Sequence, residues 1–185
     1  MILLLASGCI PSLHPLYTKE TMTTEPQLIG EWVEDGTDNL WKFTQVDEFA
    51  MELVYTENNE PGLFEVYGVK LGEHLFMDIF PEEPNFKNGL YKGSFLPVHN
   101  FARMEFMGDS LQVYMLDAEY IKKEIRQGKT TIAHVLYNDE ILLTALPEEL
   151  QKFILQYASD SRAFSVEITL LRKNKDLPKT LVPAR

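Results

Sequence analysis

The sequence has little that would support a disulfide framework, a membrane-spanning helix or a nucleic-acid interface. Its 185 residues include one cysteine, so no disulfide can form within the chain. No apolar run approaches the roughly 20 residues that a spanning helix needs. Lysine and arginine number 17 against 28 aspartates and glutamates, which gives a net charge of −11. Such a surface repels phosphate backbones and anionic lipid, so we expect no nucleic-acid partner and no electrostatic attraction to a membrane.

The residue types that carry chemistry do not cluster along the chain. The histidines lack the short spacings that signal a zinc site; they are His14, His74, His99 and His134. Glu82-Glu83 and Glu148-Glu149 are adjacent in sequence only, because neighbouring side chains in a strand point to opposite faces and those in a first helical turn face solvent. We therefore expect no catalytic residue, no cofactor and no metal.

Two further groups of residues have the residue types of a functional site, one of a hydrolase triad and one of a calcium loop, but lack the sequence motif that such a site requires. Ser94, His99 and Asp109 are the residue types of a hydrolase triad, but no Gly-x-Ser-x-Gly turn presents the serine. The acidic loop Glu82-Glu83-Pro84 lacks the alternating Asp and Asn ligands of a calcium loop. We interpret the first group as a chance combination and the second as a solvated turn.

The lone cysteine ends a short apolar segment, residues 1–9, with the sequence MILLLASGC. Small residues after an apolar run are typical of a signal-peptide cleavage site. Ala6-Ser7-Gly8-Cys9 resembles the lipobox of bacterial lipoproteins, in which diacylglycerol is attached to the cysteine thiol and the preceding peptide is removed. The resemblance implies lipidation of Cys9, and two or more acyl chains make such anchoring stable. The alternative is a buried apolar N-terminal strand with an inert cysteine.

The surroundings of Cys9 both depart from and support the lipobox interpretation. Ala6 stands where the lipobox usually has Leu, and no basic residue precedes the apolar run, so we expect a start codon further upstream. Residues 9–17, Cys-Ile-Pro-Ser-Leu-His-Pro-Leu-Tyr, resemble the mature start of an uncharacterised group of bacterial lipoproteins. That group implies no activity. Ile10 after the cysteine resembles the pattern sorted to the outer membrane in organisms with two membranes.

From Leu28 onward, short apolar runs alternate with turn residues, which predicts antiparallel β structure. The predicted fold is mainly β, an antiparallel barrel or sandwich with a short inserted helix and a C-terminal helix followed by a last strand. The predicted segments are a signal-peptide remnant (1–8), a lipidated cysteine with an extended tether (9–27), one globular domain (28–172) and a flexible tail (173–185). The predicted helices cover 118–127 and 147–159, the last strand covers 166–171, and residues 90–99 are predicted to form another strand.

The first predicted strand carries Gly30-Glu31-Trp32. This Gly-x-Trp resembles the start of the lipocalins, whose first-strand Trp closes one end of an eight-stranded barrel and whose chain also ends with a helix and a strand. The resemblance implies that Gly30 and Trp32 close a barrel that holds a small apolar ligand. The family would also place an arginine before the last helix to pack on the Trp, and none stands there. The alternative is that Trp32 is an ordinary core aromatic.

These patterns together favour a lipid-anchored, non-catalytic module of the bacterial cell envelope, with its domain outside the cytoplasm. The expected partners are a membrane, through the lipid on Cys9, and other envelope proteins. A lipocalin-like barrel that binds or carries a small apolar ligand is the alternative function.

Overall fold

The structure is a computed structural model that describes residues 10–138 and 140–173. The lipidation predicted at Cys9, the segment 1–8 and the tail from residue 174 lie outside the described residues. The strands are β1 (Met22–Thr23), β2 (Gly30–Glu34), β3 (Leu40–Gln45), β4 (Ala50–Glu57), β5 (Glu60–Leu71), β6 (His74–Pro81), β7 (Asn100–Met107), β8 (Ser110–Met115), β9 (His134–Tyr137), β10 (Glu140–Leu143) and β11 (Val166–Arg172). The helices are α1 (Gly89–Ser94), α2 (Ala118–Arg126) and α3 (Pro147–Tyr157).

Eight antiparallel strands form a closed barrel. Each strand from β2 to β7 pairs with the next along the chain, and β11 pairs with both β8 and β2, which closes the cylinder. The short β1 pairs with β5 from outside the barrel. The mainly β fold with a final helix and strand is therefore confirmed, and of the two predicted architectures the chain adopts the barrel.

Alternation of side chains along the strands fills the barrel interior. Leu111, Val113 and Met115 of β8 all point inward, as their two-residue spacing predicts. The interior cluster of buried side chains consists of Leu28, Trp32, Trp41, Phe43, Met51, Leu53, Val66, Met77, Ile79, Ala102, Met104, Leu111, Val113, Met115 and Leu170. Every member is apolar, so the inside of the barrel is held together mainly by the hydrophobic effect.

The turns and helix ends that the sequence predicts are formed with the expected local chemistry. Gly72 and Gly108 turn the β5–β6 and β7–β8 hairpins with φ of 58° and 64°, a left-handed conformation that favours glycine. Asp117 caps α2, because its carboxylate accepts the Tyr120 N–H at 2.8 Å. Gly128 follows α2 with φ of 67° and stops it.

The connection between β8 and β11 carries α2, the β9–β10 hairpin and α3, which cover one side of the barrel. Together with residues 10–17 we call them the outer layer. They bury a second apolar cluster against the outward-facing side chains of β5, β6 and β7. The helix predicted at 147–159 is α3, and its apolar stripe is buried in this cluster; the stripe comprises Leu150, Phe153, Ile154 and Tyr157. None of the helices in the described part of the chain is long and apolar enough to cross a membrane.

The segment predicted to be an extended tether is attached to the domain instead. Residues 10–27 contain little regular structure, but Ile10 and Leu16 belong to the outer apolar cluster and are 3% and 0% exposed. Ser12 forms bridges with His99 and Leu143. The prolines and threonines predicted an extended chain correctly, whereas the apolar residues between them pack on the barrel. The free tether is therefore wrong for residues 10–17.

The strand predicted at residues 90–99 is also wrong, because α1 occupies its first half. Asn88 caps this helix, and its side-chain oxygen accepts the Leu90 and Tyr91 N–H groups at 2.9 and 3.3 Å. Leu90 and Tyr91 are exposed. Their apolar character suggested a strand, but the local cap determines the conformation here because no neighbouring strand pairs with them.

Candidate functional site

A buried carboxylate–imidazole pair lies on the outer face of the barrel. Asp78 of β6 places Oδ1 2.7 Å from His99 Nδ1, next to the start of β7. Its other oxygen, Oδ2, accepts the Leu16 backbone N–H at 2.6 Å. The Asp78 side chain is 0% exposed. Both carboxylate oxygens therefore have partners, as a buried charged or polar group requires.

Backbone hydrogen bonds hold the N-terminal segment over this pair. The Ser12 N–H donates to the His99 carbonyl at 2.9 Å, and the His99 N–H donates back to the Ser12 carbonyl at 2.8 Å. On the other side, the Leu13 N–H donates to the Leu143 carbonyl and the Leu143 N–H donates to the Pro11 carbonyl, both at 2.9 Å. Residues 10–16 are thus joined to β7 and β10. We call this segment with Asp78 and His99 the N-terminal clasp.

Burial controls the protonation equilibria in the clasp. The pKa of Asp78 is raised above the ordinary carboxyl value because burial penalises its charge; the hydrogen bond and charge of His99 and the Leu16 N–H oppose this increase. Burial and the nearby Asp78 charge raise the pKa of Tyr17 to about 12. Phe80 and Tyr17 flank the imidazole of His99, with ring centroids 4.4 and 6.5 Å away. The clasp is a partly aromatic, water-poor environment.

The residue types in the clasp resemble a catalytic set, but their hydrogen bonds serve the fold. The Ser12 hydroxyl donates to the His14 carbonyl at 2.8 Å, within the same turn. Ser12 is 0% exposed, as is the Asp78 side chain. A general base needs access to a substrate proton at hydrogen-bond distance. The clasp is therefore chemically suited to fastening the N-terminal segment, and we assign it no reaction.

The structure separates the residues that resembled a hydrolase triad. Ser94 lies in α1 and its hydroxyl donates to the Leu90 carbonyl. Asp109 lies in the β7–β8 turn, at the opposite end of β7 from His99. His99 thus pairs with Asp78 and not with Asp109. Among the described residues, no group of three or more histidine or acidic side chains could hold a metal ion.

At one end of the barrel, Trp32 packs beneath an arginine. The guanidinium carbon of Arg172, on β11, lies 4.1 Å from the centroid of the Trp32 ring. The indole Nε1–H donates to the Leu28 carbonyl at 2.8 Å. Arg172 also donates to the carbonyls of Ile29, at 3.1 Å, and Gln27. The arginine on Trp32 thus belongs to the last barrel strand, and its contacts tie that strand to β2 and the residues just before it.

Gly30 is required by the same arrangement. Its φ of 125° is a conformation that side-chain-bearing residues rarely adopt. A Cβ atom at this position would lie 3.2 Å from Arg172 Nη1. The Gly-x-Trp pattern therefore has a local physical reason. Gly30 leaves space for the guanidinium group of Arg172, and the ring of Trp32 packs against that group. A role for Gly30 and Trp32 in closing the barrel stays a prediction.

An open cleft lies between the β3–β4 turn and the chain that follows β6. Its volume is about 580 Å³. Apolar atoms come from Val46, Ala50, Met51, Phe64, Phe80 and Pro81, and carboxylates from Glu52, Glu65, Glu82 and Glu83. Lys92 pairs with Glu83 at 2.9 Å. The predicted solvated turn at Glu82-Glu83 thus contributes to a surface that is apolar in part and strongly acidic.

Sequence reasoning missed Asp78 and its partner Leu16. The signal is present in β6, where Asp78 interrupts the apolar run Leu-Phe-Met-Asp-Ile-Phe. A carboxylate in the middle of such a run implies a buried partner, because an unpaired buried charge is strongly unfavourable. The sequence does not identify that partner, since Leu16 is 62 residues away and its contribution is a backbone N–H.

Comparisons with known proteins identify no relative of this chain. No protein-family model matches it, and no curated protein and no solved structure matches it significantly.

Proposed function

We propose that this protein is a lipid-anchored barrel of the bacterial cell envelope that acts through binding and not through catalysis. The observation that carries the proposal is the sequence Ala6-Ser7-Gly8-Cys9, a lipobox-like site in a chain with no other cysteine. Two or more acyl chains on Cys9 would anchor an acidic domain that anionic lipid otherwise repels. The domain would lie outside the cytoplasm. In an organism with two membranes, the lipid would anchor it to the outer membrane.

The geometry next to Cys9 supports this proposal. Ile10 is buried, Ser12 is bonded to His99, and Pro11 and Leu13 are bonded to Leu143 of β10, so the folded domain already includes the residue next to the cysteine. In the alternative interpretation, Cys9 would be an inert residue of a buried strand. The lipoprotein interpretation explains better why small residues precede Cys9.

Metabolic labelling tests the anchor directly. Cells that express the protein from its own locus are grown with an alkyne-tagged fatty acid, and the protein is purified and reacted with an azide dye. We expect label on the natural protein and none on Cys9→Ser, whereas Ser7→Ala, which keeps a small residue before the cysteine, serves as the labelled control. An unlabelled natural protein that is recovered with a free Cys9 thiol would refute the proposal.

A second candidate function is the binding of a small ligand, and the cleft lined by Met51, Phe64 and Phe80 favours it. The cleft keeps the carboxylates of Glu52, Glu65 and Glu82 beside its apolar surface, in addition to Glu83, which is paired with Lys92. Such a surface is suited to an amphipathic cation better than to a fatty acid. Calorimetric titration with an alkylamine and a fatty acid of equal chain length would separate these ligands. We expect the amine to bind more tightly and Phe64→Ala to weaken it; equal, undetectable binding of both would remove this candidate.

A further inference from the structure

The β9–β10 hairpin lies beside Ile10, the first residue that the structure describes and the one bonded to Cys9. Its strand β10 runs parallel to the N-terminal segment, with Ser12 bridged to Leu143. The start of β10 and the turn of the hairpin therefore lie on the same side as the chain that leads back to Cys9. With this register, Ile141 is level with Ile10, because both lie two residues before the bridge.

The exposed strand of this hairpin is apolar. Val135 and Leu136 of β9 are 52% and 54% exposed. Leu136 pairs with Ile141 and Val135 with Leu142, so the two exposed side chains stand on opposite faces of the hairpin. Among the described residues, β9 pairs with β10 alone. β9 contains no proline, lysine or carboxylate, although Glu140 stands opposite its last residue, Tyr137. Apolar side chains exposed on an edge strand are unusual on a protein surface, where such edges are normally protected.

Distances along the chain place this apolar strand beside the anchor. Leu136 lies two strand positions from the level of Ile10, about 10 Å at the usual spacing of neighbouring strands. Cys9 is one residue further, with Cα atoms about 3.8 Å apart. Since residues 10–13 are fixed to β7 and β10, acyl chains on Cys9 would bring the bilayer surface to the hairpin.

We propose that the β9–β10 hairpin inserts Val135 and Leu136 into the bilayer interface next to the acyl chains of Cys9. This inference rests on the proposed lipid anchor and specifies how the domain meets the membrane. The contact is apolar, so it does not require the anionic lipid that a net charge of −11 disfavours. The N-terminal clasp gives the domain a defined orientation on the membrane.

Depth-dependent fluorescence quenching tests the hairpin without relying on lipidation in cells. The full chain is coupled through Cys9 to maleimide-headgroup lipid in phosphatidylcholine vesicles, with and without brominated acyl chains. Leu136→Trp is compared with Met107→Trp, and the signal of the buried Trp32 and Trp41 is subtracted with the natural protein. Met107 is 62% exposed and stands at the far end of β7, eight residues from His99, or about 26 Å.

We expect brominated lipid to quench Leu136→Trp at least about twice as strongly as Met107→Trp, with a blue-shifted emission for the first variant alone. Val135→Trp should behave like Leu136→Trp. Equal quenching at positions 136 and 107 would overturn the inference. So would an unquenched Leu136→Trp in a protein that sediments as a dimer, since β9 would then pair with a second copy.

The two proposals fail in different ways. If the fatty-acid label is absent in cells but position 136 is quenched on vesicles, the lipoprotein proposal fails and the hairpin retains an affinity for bilayers. If the label is present and position 136 is unquenched, the anchor stands and the hairpin does not contact the membrane.

Discussion

The barrel wall separates two cores that are built differently. The interior core around Trp32 and Phe43 is an apolar cluster, in which the two tryptophans supply the indole N–H groups. The outer core, between the wall and the outer layer, also encloses the buried polar residues Ser12, Asp78 and His99. Apolar packing is non-directional, whereas buried hydrogen bonds fix particular partners. The interior therefore contributes most to the stability of the barrel, and the outer core determines where the N-terminal segment attaches.

The largest expected effect comes from a cavity in the interior core. Phe43 is 1% exposed, and Phe43→Ala should lower the free energy of unfolding by about 3–5 kcal/mol, because it removes apolar contacts and leaves a cavity. Urea unfolding followed by tryptophan fluorescence measures it. Val46→Ala, at an exposed position nearby in sequence, should stay within about 0.5 kcal/mol. A loss below 1 kcal/mol for Phe43→Ala, roughly that of a surface change, would contradict a filled interior.

The outer core should respond locally to the loss of its carboxylate. Asp78→Ala leaves the His99 Nδ1 and the Leu16 N–H without their partner, which should cost about 3 kcal/mol. We expect amide hydrogen exchange to accelerate in residues 10–16 while β2–β4 stay protected. Asp78→Asn retains an acceptor and should preserve more of the protection. Equal acceleration in both regions would show that the two cores form one cooperative unit.

The junction between the first and last strands should have a smaller effect. Arg172→Ala removes the cation–π contact with Trp32 and the hydrogen bonds to Gln27 and Ile29, at a cost of about 1–2 kcal/mol. Arg172→Lys should recover only part of this stability. Lysine keeps the positive charge, but its ammonium group cannot reproduce the planar set of donors of the guanidinium group. Chemical denaturation is the measurement. Lys173→Ala, which loses a surface ion pair with Glu31, is the control. An equal loss of stability in Lys173→Ala would contradict a specific contribution of Arg172 to the contact between the first and last strands.

The smallest effect is a pH dependence that belongs to the outer core. Because the pKa of Asp78 is raised in the folded state, the folded chain binds this proton more tightly than the unfolded chain. Its stabilising contribution is full below the unfolded carboxyl pKa, about 4, and is lost as pH rises through the folded value. The free energy of unfolding of the natural protein, minus that of Asp78→Asn, should therefore decrease with rising pH. A difference that grows with pH would mean that folding lowers the pKa of Asp78, contrary to this prediction.

The interior core is the part that the sequence predicts well. Leu111, Val113 and Met115 alternate within one strand, so a two-residue period suffices to assign them to one face. The stripe of α3 and the Asp117 cap of α2 are likewise set by residues a few positions apart. Closure into a barrel follows from pairing between β11 and β2, which no local pattern specifies, so barrel and sandwich stayed open alternatives.

The clasp shows why the candidate site was not predictable. Ser12, Asp78 and His99 are separated by tens of residues, and the hydrogen bonds that attach the N-terminal segment to them use backbone N–H and carbonyl groups. Prolines around Ser12 correctly predict an extended chain, but they do not say whether that chain is covered. The prediction of a strand at 90–99 was wrong for a different reason. Asn88 is a local signal for the start of a helix, but the apolar residues Leu90 and Tyr91 that follow it are equally typical of a strand.

The position of β11 has a consequence for biosynthesis. Its pairing with β2 joins residues 170–172 to residues 32–34 and completes the cylinder. Until residue 172 has left the ribosome, β2 and β8 each keep one unpaired edge, and contacts this distant in sequence form slowly. The topology of the nascent chain thus delays closure of the barrel until synthesis is nearly finished, which would suit the export that the proposed lipid anchor requires.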